Sequence, residues 1–236
     1  MASSSTVPSS ASSPPDERVL VVTSRHSPRR AEILAELSRR DRVLAGLVER
    51  HGPAPLDRPV PVDARFAVLV RSIVSQQLAG SAARSIHARL TGLLGDVTPE
   101  SILEAGPDAL GACGLSGAKT AALVDLAERA AGGQVDLGRI GRLGDDEVVE
   151  HLVQVRGIGV WTAQMFLMMA LRRPDVWPVG DLGVRIGYAA AWRQGALVSP
   201  AELQRLGEPF RPYRSTVAWY CWRVADAAKQ DGARTP

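Results

Sequence analysis

Cysteine, aromatic residues and long apolar runs are scarce in this chain, and each scarcity removes a class of function. Only Cys113 and Cys221 are present, too few for a four-cysteine zinc or iron–sulfur site. They point to a reducing compartment, with a chance disulfide as the weaker reading. His26, His51, His87 and His151 stand at no metal-ligand spacing. No stretch approaches the ~18 uninterrupted apolar residues of a membrane-spanning helix. Residues 1–17 contain no Lys or Arg and no apolar run, so they do not read as a secretory signal. Their seven Ser and three Pro make them a low-complexity leader, expected to be disordered.

What remains is ordinary for a globular protein: 236 residues, 45% hydrophobic and 22% charged. That length serves one large domain or two small ones. Residues 18–236 hold all 28 basic residues against 23 acidic ones. The bias admits an anionic partner without requiring one.

Residues 18–24 read as a short strand, although an apolar run of that length does not separate strand from helix. From Pro28 onward the period is helical. Ile33, Leu34, Leu37, Val43, Leu44 and Leu47 recur at helical spacing within 28–50. A connector with four prolines follows over 52–61. Apolar faces then predict helices over 63–78 and 80–93, shorter ones near 98–105 and 107–112, and another over 117–131. Further helices are predicted over 145–154, 160–172, from Asp181 onward, over 200–206 and over 213–229. Roughly ten to twelve short helices with at most one strand define an all-α protein.

The stretch 152–185 carries the most chemistry. Gly157-Ile158-Gly159 joins two predicted helices through a tight hairpin, and the second helix starts near Val160. Its unpaired first-turn N–H groups and positive dipole end suit a phosphate oxygen. A plain αα-hairpin has the same pattern. Asp181 opens the next helix after a Pro/Gly loop, as an N-cap does. Gln76-Gln77 ends one apolar helix, where two amides are awkward to bury without partners. A solvent-exposed helix end explains them equally well. Lys119 and Arg156 either contact phosphate or are solvated.

Helix, Gly157-Ile158-Gly159, helix, then the loop ending in Asp181 resembles the helix-hairpin-helix DNA glycosylase superfamily. The segments 157–163 (GIGVWTA) and 175–181 (DVWPVGD) resemble its 3-methyladenine DNA glycosylase II branch. So do 73–79 (IVSQQLA), Gly114-Leu115-Ser116 with Lys119, and 213–223 (YRSTVAWYCWR). The likeness spans about residues 40–225 and fits the compact form without an N-terminal β-rich domain.

That resemblance implies a two-lobed helical glycosylase. One lobe is the central helices of about 63–172, and the other packs the first helices on the last. It implies excision of alkylated bases from double-stranded DNA, leaving an abasic site. Asp181 would be the catalytic carboxylate. Trp161, Trp222 and Met165 would line the base pocket, with methionine where some relatives have tyrosine. Gln77 would fill the gap left by the flipped nucleotide, with Gln76 beside it. Gly157, Gly159, Val160, Arg156 and Lys119 would face DNA, with Arg156 where most relatives have proline. Bifunctional relatives carry a lysine two residues after the second hairpin glycine; Trp161 stands there, so a monofunctional enzyme is implied. No catalytic metal or cofactor is expected. A structural monovalent cation, Na+ or K+, at the carbonyls of Val153, Val155 and Ile158 is implied by the resemblance alone. A cytoplasmic monomer is expected, nucleoid-associated in a bacterium, with no membrane partner. Hairpin and wedge are expected to act separately. A uracil or thymine mismatch glycosylase and a silent damaged-DNA-binding module are the alternatives.

Overall fold

The computed structural model describes residues 28–56, 58–78 and 80–232. The strand predicted over 18–24 and the leader 1–17 lie outside them. The described residues form α1 (Pro28–Arg40), α2 (Arg42–His51), α3 (Arg65–Ser75), α4 (Gly80–Leu94), α5 (Pro99–Ala112) and α6 (Gly117–Ala131). They continue with α7 (Asp145–Leu152), α8 (Val160–Met169), α9 (Leu182–Ala191), α10 (Pro200–Leu206) and α11 (Arg214–Gly232). There is no strand among the described residues, and no helix there is long and apolar enough to cross a membrane.

Three boundaries differ from the sequence reading. The helix predicted over 28–50 is broken at Asp41, whose side chain caps α2 by accepting the Leu44 N–H at 2.9 Å. The apolar spacing runs on across the break because both helices bury one face: Leu34 and Leu37, then Leu44 and Leu47. The helix predicted to reach residue 78 stops at Ser75. The two helices expected near 98–112 form one element kinked at Gly106, with φ 72° immediately before Pro107.

The central group, α3 to α8, packs around Leu69, Ile73, Leu90, Ile102, Leu123 and Phe166, all fully buried. The first helices lie on the last ones. Tyr220 of α11 donates to the Gly52 carbonyl at 2.9 Å, and Trp192 donates to Asp41 at 2.9 Å. Trp192 also stacks on Tyr188 at 4.3 Å between ring centroids, and Tyr188 meets Trp177 edge-on at 6.4 Å. Burial raises the Tyr188 hydroxyl to a pKa of about 12.

Two ion pairs on Asp175, one of them with a buried arginine, hold the loop that precedes α9. Arg214, almost fully buried, grips Asp175 at 2.8 Å through both Nε and Nη2, and Arg211 reaches the same carboxylate at 2.8 Å. Trp177 in that loop is buried and donates to the Leu203 carbonyl at 2.8 Å. The loop is therefore fixed on both sides, and it delivers Asp181 to the start of α9.

Candidate active site

Asp181 is the N-cap of α9: its Oδ1 accepts the Val184 N–H at 2.8 Å. Two indoles complete its shell. Trp161 Nε1 donates to Oδ2 at 2.6 Å, and Trp222 Nε1 donates to Oδ1 at 3.0 Å. The carboxylate is 8% exposed, while the Trp161 ring is 44% exposed. Three donors thus fix a nearly buried carboxylate with an aromatic face turned outward beside it. Met165, half-buried, stands one turn beyond Trp161 on the same face of α8.

Two glycines of α9 make this arrangement possible. A Cβ on Gly183 would come within 3.0 Å of Trp222 and 3.1 Å of Asp181. A Cβ on Gly187 would sit 1.8 Å from the Cys221 carbonyl oxygen. Alpha-9 and α11 therefore touch backbone to backbone, and this depth brings Trp222 to the carboxylate. Neither glycine was singled out from the sequence, although two glycines four apart inside a helix are a legible sign of close helix contact. Cys221 lies in this contact, fully buried; burial first, and the nearby Asp181 second, push its thiol above the usual range.

The hairpin between α7 and α8 is held from α6. Gly157 has φ 77°, and a Cβ there would lie 3.0 Å from Ala122. Asp125 accepts the Arg156 N–H at 2.7 Å, a contact between residues 31 apart that is not legible from their spacing. The Arg156 side chain is exposed and lines a 650 Å³ pocket beside Asp108, Asp125 and Glu128. Gly159 is different: a Cβ there would meet nothing within 4 Å. It caps α8 without a side chain, whereas Asp41, Thr98, Ser116, Asp181 and Ser199 each cap a helix with an oxygen. The first-turn N–H groups of α8 thus face an open side with no protein acceptor from the cap.

Gln76 and Lys119 do not end where the sequence reading placed them. Gln76 Nε2 donates to the Gly157 carbonyl at 3.0 Å and to Thr162 Oγ1 at 3.1 Å. It ties the turn after α3 to the hairpin. Lys119 Nζ donates to the carbonyls of Val74 at 2.7 Å and Gln76 at 2.8 Å. Its ammonium is thus held on the protein's own backbone. Gln77 is exposed at the tip of that turn. Of the nine exposed large hydrophobics among the described residues, Leu78, Val153, Val160, Trp161 and Leu182 belong to this turn, the hairpin and the first turns of α8 and α9. Of these, Trp161 donates to the buried Asp181 carboxylate and Leu182 follows it in the chain, so exposed apolar surface lies beside that carboxylate.

Residues 70–212 match the family model of the HhH-GPD superfamily base excision DNA repair protein. The chain belongs to that superfamily. Among HhH-GPD relatives it is 32% identical over 208 residues to the DNA-3-methyladenine glycosylase 1 of Schizosaccharomyces pombe, covering 84% of this chain and 91% of that protein. The solved structure of the S. pombe 3-methyladenine DNA glycosylase in complex with abasic DNA superposes with a TM-score of 0.74 at 31% identity, over 84% of this chain and 97% of that one. A DNA-3-methyladenine glycosidase from Bacillus halodurans superposes with a TM-score of 0.71 at 30% identity, over 87% and 93%. The all-α architecture and the hairpin are therefore those of the HhH-GPD fold.

Proposed function

We propose that this HhH-GPD protein is a monofunctional DNA-3-methyladenine glycosylase. It acts as a monomer on double-stranded DNA, hydrolysing the N-glycosidic bond of alkylated bases and leaving an abasic site. The observation that carries this reading is the Asp181 carboxylate held by Val184, Trp161 and Trp222 beneath an exposed indole face. The relatives named for 3-methyladenine support the substrate class.

The target nucleotide must leave the stack, because its glycosidic bond is inaccessible inside the duplex. The α8 N-terminus and the open side of Gly159 suit a phosphate oxygen, a contact that positions the duplex without reading sequence. Gln77, exposed at the tip of its turn, fills the gap. The alkylated purine carries positive charge and is drawn to the faces of Trp161 and Trp222. As its bond to the sugar breaks, oxocarbenium charge develops, and Asp181 stabilises it or activates the attacking water. Both carboxylate oxygens are already oriented by fixed donors, so little reorganisation is needed at that moment.

An N-alkylated purine leaves readily, so no strong general acid is required. Trp161 has no amine with which to form a Schiff base, and Lys119 is committed to two carbonyls. Strand cleavage is therefore not part of the reaction. A monovalent cation fits the hairpin by donor chemistry, since the carbonyls of Val153, Val155 and Ile158 are hard oxygen donors in a turn. It would brace the backbone that meets phosphate.

The test is release of free base from methylated DNA, separated by chromatography, with borohydride present in a parallel reaction. Released 3-methyladenine with an unbroken abasic strand and no trapped protein–DNA adduct is expected. Release of uracil or thymine alone, no release at all, or a substrate-dependent trapped adduct would overturn the assignment.

A further inference from the structure

Gln77 has φ 55°, the left-handed region that a non-glycine residue keeps only where its surroundings impose it. The turn is closed in part by α3 itself: the Leu78 N–H returns to the Ser75 carbonyl at 3.4 Å and the N–H of the C-cap Gln76, at φ −56° and ψ 132°, to the Ile73 carbonyl at 3.3 Å. Neither bond uses the Val74 or Gln76 carbonyl, and these two are left for other partners. Lys119 supplies the partners from the first turn of α6. Its ammonium spans the Val74 and Gln76 carbonyls at 2.7 and 2.8 Å, and a cation is favoured at a helix C-terminus.

Gln76 is held a second time through its side chain, by Gly157 and Thr162. The residue immediately before Gln77 is thus pinned by α6 on one side and by the hairpin on the other. Lys119 is one of two lysines among 28 basic residues. A compact ammonium with rotatable donors meets two converging carbonyls better than a planar guanidinium fork. Its half-buried position lowers the ammonium pKa below the usual range through desolvation.

We infer that Lys119 is a positioning residue for nucleotide flipping: it fastens the turn that presents Gln77, acts through Gln77, and does not contact phosphate. The inference rests on the glycosylase reading above and adds to it the part that keeps the wedge stiff. A wedge works against the tendency of the extruded nucleotide to return to the stack. That tendency is strongest where the lesion is well paired and weakest where pairing is already lost. Loosening the turn therefore penalises one substrate and spares the other.

The experiment compares single-turnover base release from a paired lesion and from the same lesion opposite an abasic site. Wild type, Lys119→Met, Gln77→Ala and the double variant are each measured, with melting temperatures alongside. Lys119→Met is expected to slow the paired substrate about fivefold more than the unpaired one. The double variant should show the selectivity of Gln77→Ala alone, because residues acting through one another are not additive. The salt dependence of DNA binding should not change, whereas removing a phosphate contact lowers the slope by ~1. Equal slowing on both substrates, additive effects in the double variant, or a reduced salt slope would each overturn the inference.

Lys119→Gln replaces the methionine variant, with the same expectations, if that variant melts early. If wild type releases no base, the glycosylase reading fails by itself. The clamp is then judged by amide exchange at Gln77 and Leu78: faster exchange in Lys119→Met supports it, and unchanged exchange overturns it.

Discussion

Two aspartates in this fold are nearly copies of one another. Asp41 caps α2 through Leu44 N at 2.9 Å and accepts the Trp192 indole at 2.9 Å. Asp181 caps α9 through Val184 N at 2.8 Å and accepts the Trp161 indole at 2.6 Å. A capping aspartate with an indole partner is therefore a structural device in this protein, and the motif alone does not make a site. The surroundings do. Trp192 is packed between Tyr188 and Phe210, so the half-buried ring of the Asp41 pair already has aromatic neighbours within the fold. Asp181 has a second indole on Trp222, and its first indole belongs to a ring left 44% exposed among Val160 and Leu182, each 55% exposed. One pair braces two helices; the other holds a carboxylate where a flat, electron-poor group can stack.

Variants that change the surroundings of one pair sharpen the contrast. The largest loss is expected for Gly187→Ala. Its Cβ would lie 1.8 Å from a backbone oxygen, so α9 and α11 must separate, at a cost of ~3 kcal/mol or more. Gly46→Ala is the matched control, since nothing lies within 4 Å of its Cβ; there the helix should gain ~0.5–1 kcal/mol. Thermal melts of both variants decide this, and similar melting temperatures would show that the helix contact is looser than described.

Trp222→Ala comes next. It should weaken binding to DNA with a cationic purine by ~1–3 kcal/mol, the scale of one lost stacking face, while binding to undamaged duplex is nearly unchanged. Equal losses on both DNAs in a titration would assign Trp222 to the fold rather than to the pocket. The smallest effect is expected for Asp41→Ala, which removes a cap worth ~1 kcal/mol. Its melting temperature should fall, and its rate of base release should not.

The helices were legible because their apolar residues keep a period near 3.6 and their ends carry capping chemistry. Asp41 was missed as a break because Leu37 and Leu44 keep the same period across it. Gly157 as a hairpin glycine and Asp181 as a helix cap were legible through local order along the chain, whereas the roles of Asp181 and Trp161 in a site came from the resemblance. The destinations of Gln76 and Lys119 were not, since α3, α6 and the hairpin meet only after folding. For the same reason Lys119 read as a surface cation and Gln76 as part of an isolated helix end. Trp222 was likewise found by resemblance; the physical reason it reaches Asp181 is the pair Gly183 and Gly187, distant from it in the chain but adjacent in the packed helices.

The most direct measurement is single-turnover release of free base from one alkylated duplex by wild type, Asp181→Asn and Asp41→Asn, with Kd and Tm taken for each. Asparagine caps a helix about as well as aspartate, so both variants should melt within ~1 kcal/mol of wild type. Asp41→Asn should release base at the wild-type rate. Asp181→Asn should bind the duplex with unchanged Kd and release base ~10²-fold or more slowly, the scale of one missing electrostatic stabiliser. Near-normal release by Asp181→Asn, or equal slowing of both variants, would contradict the role of Asp181 and leave it the same structural cap as Asp41.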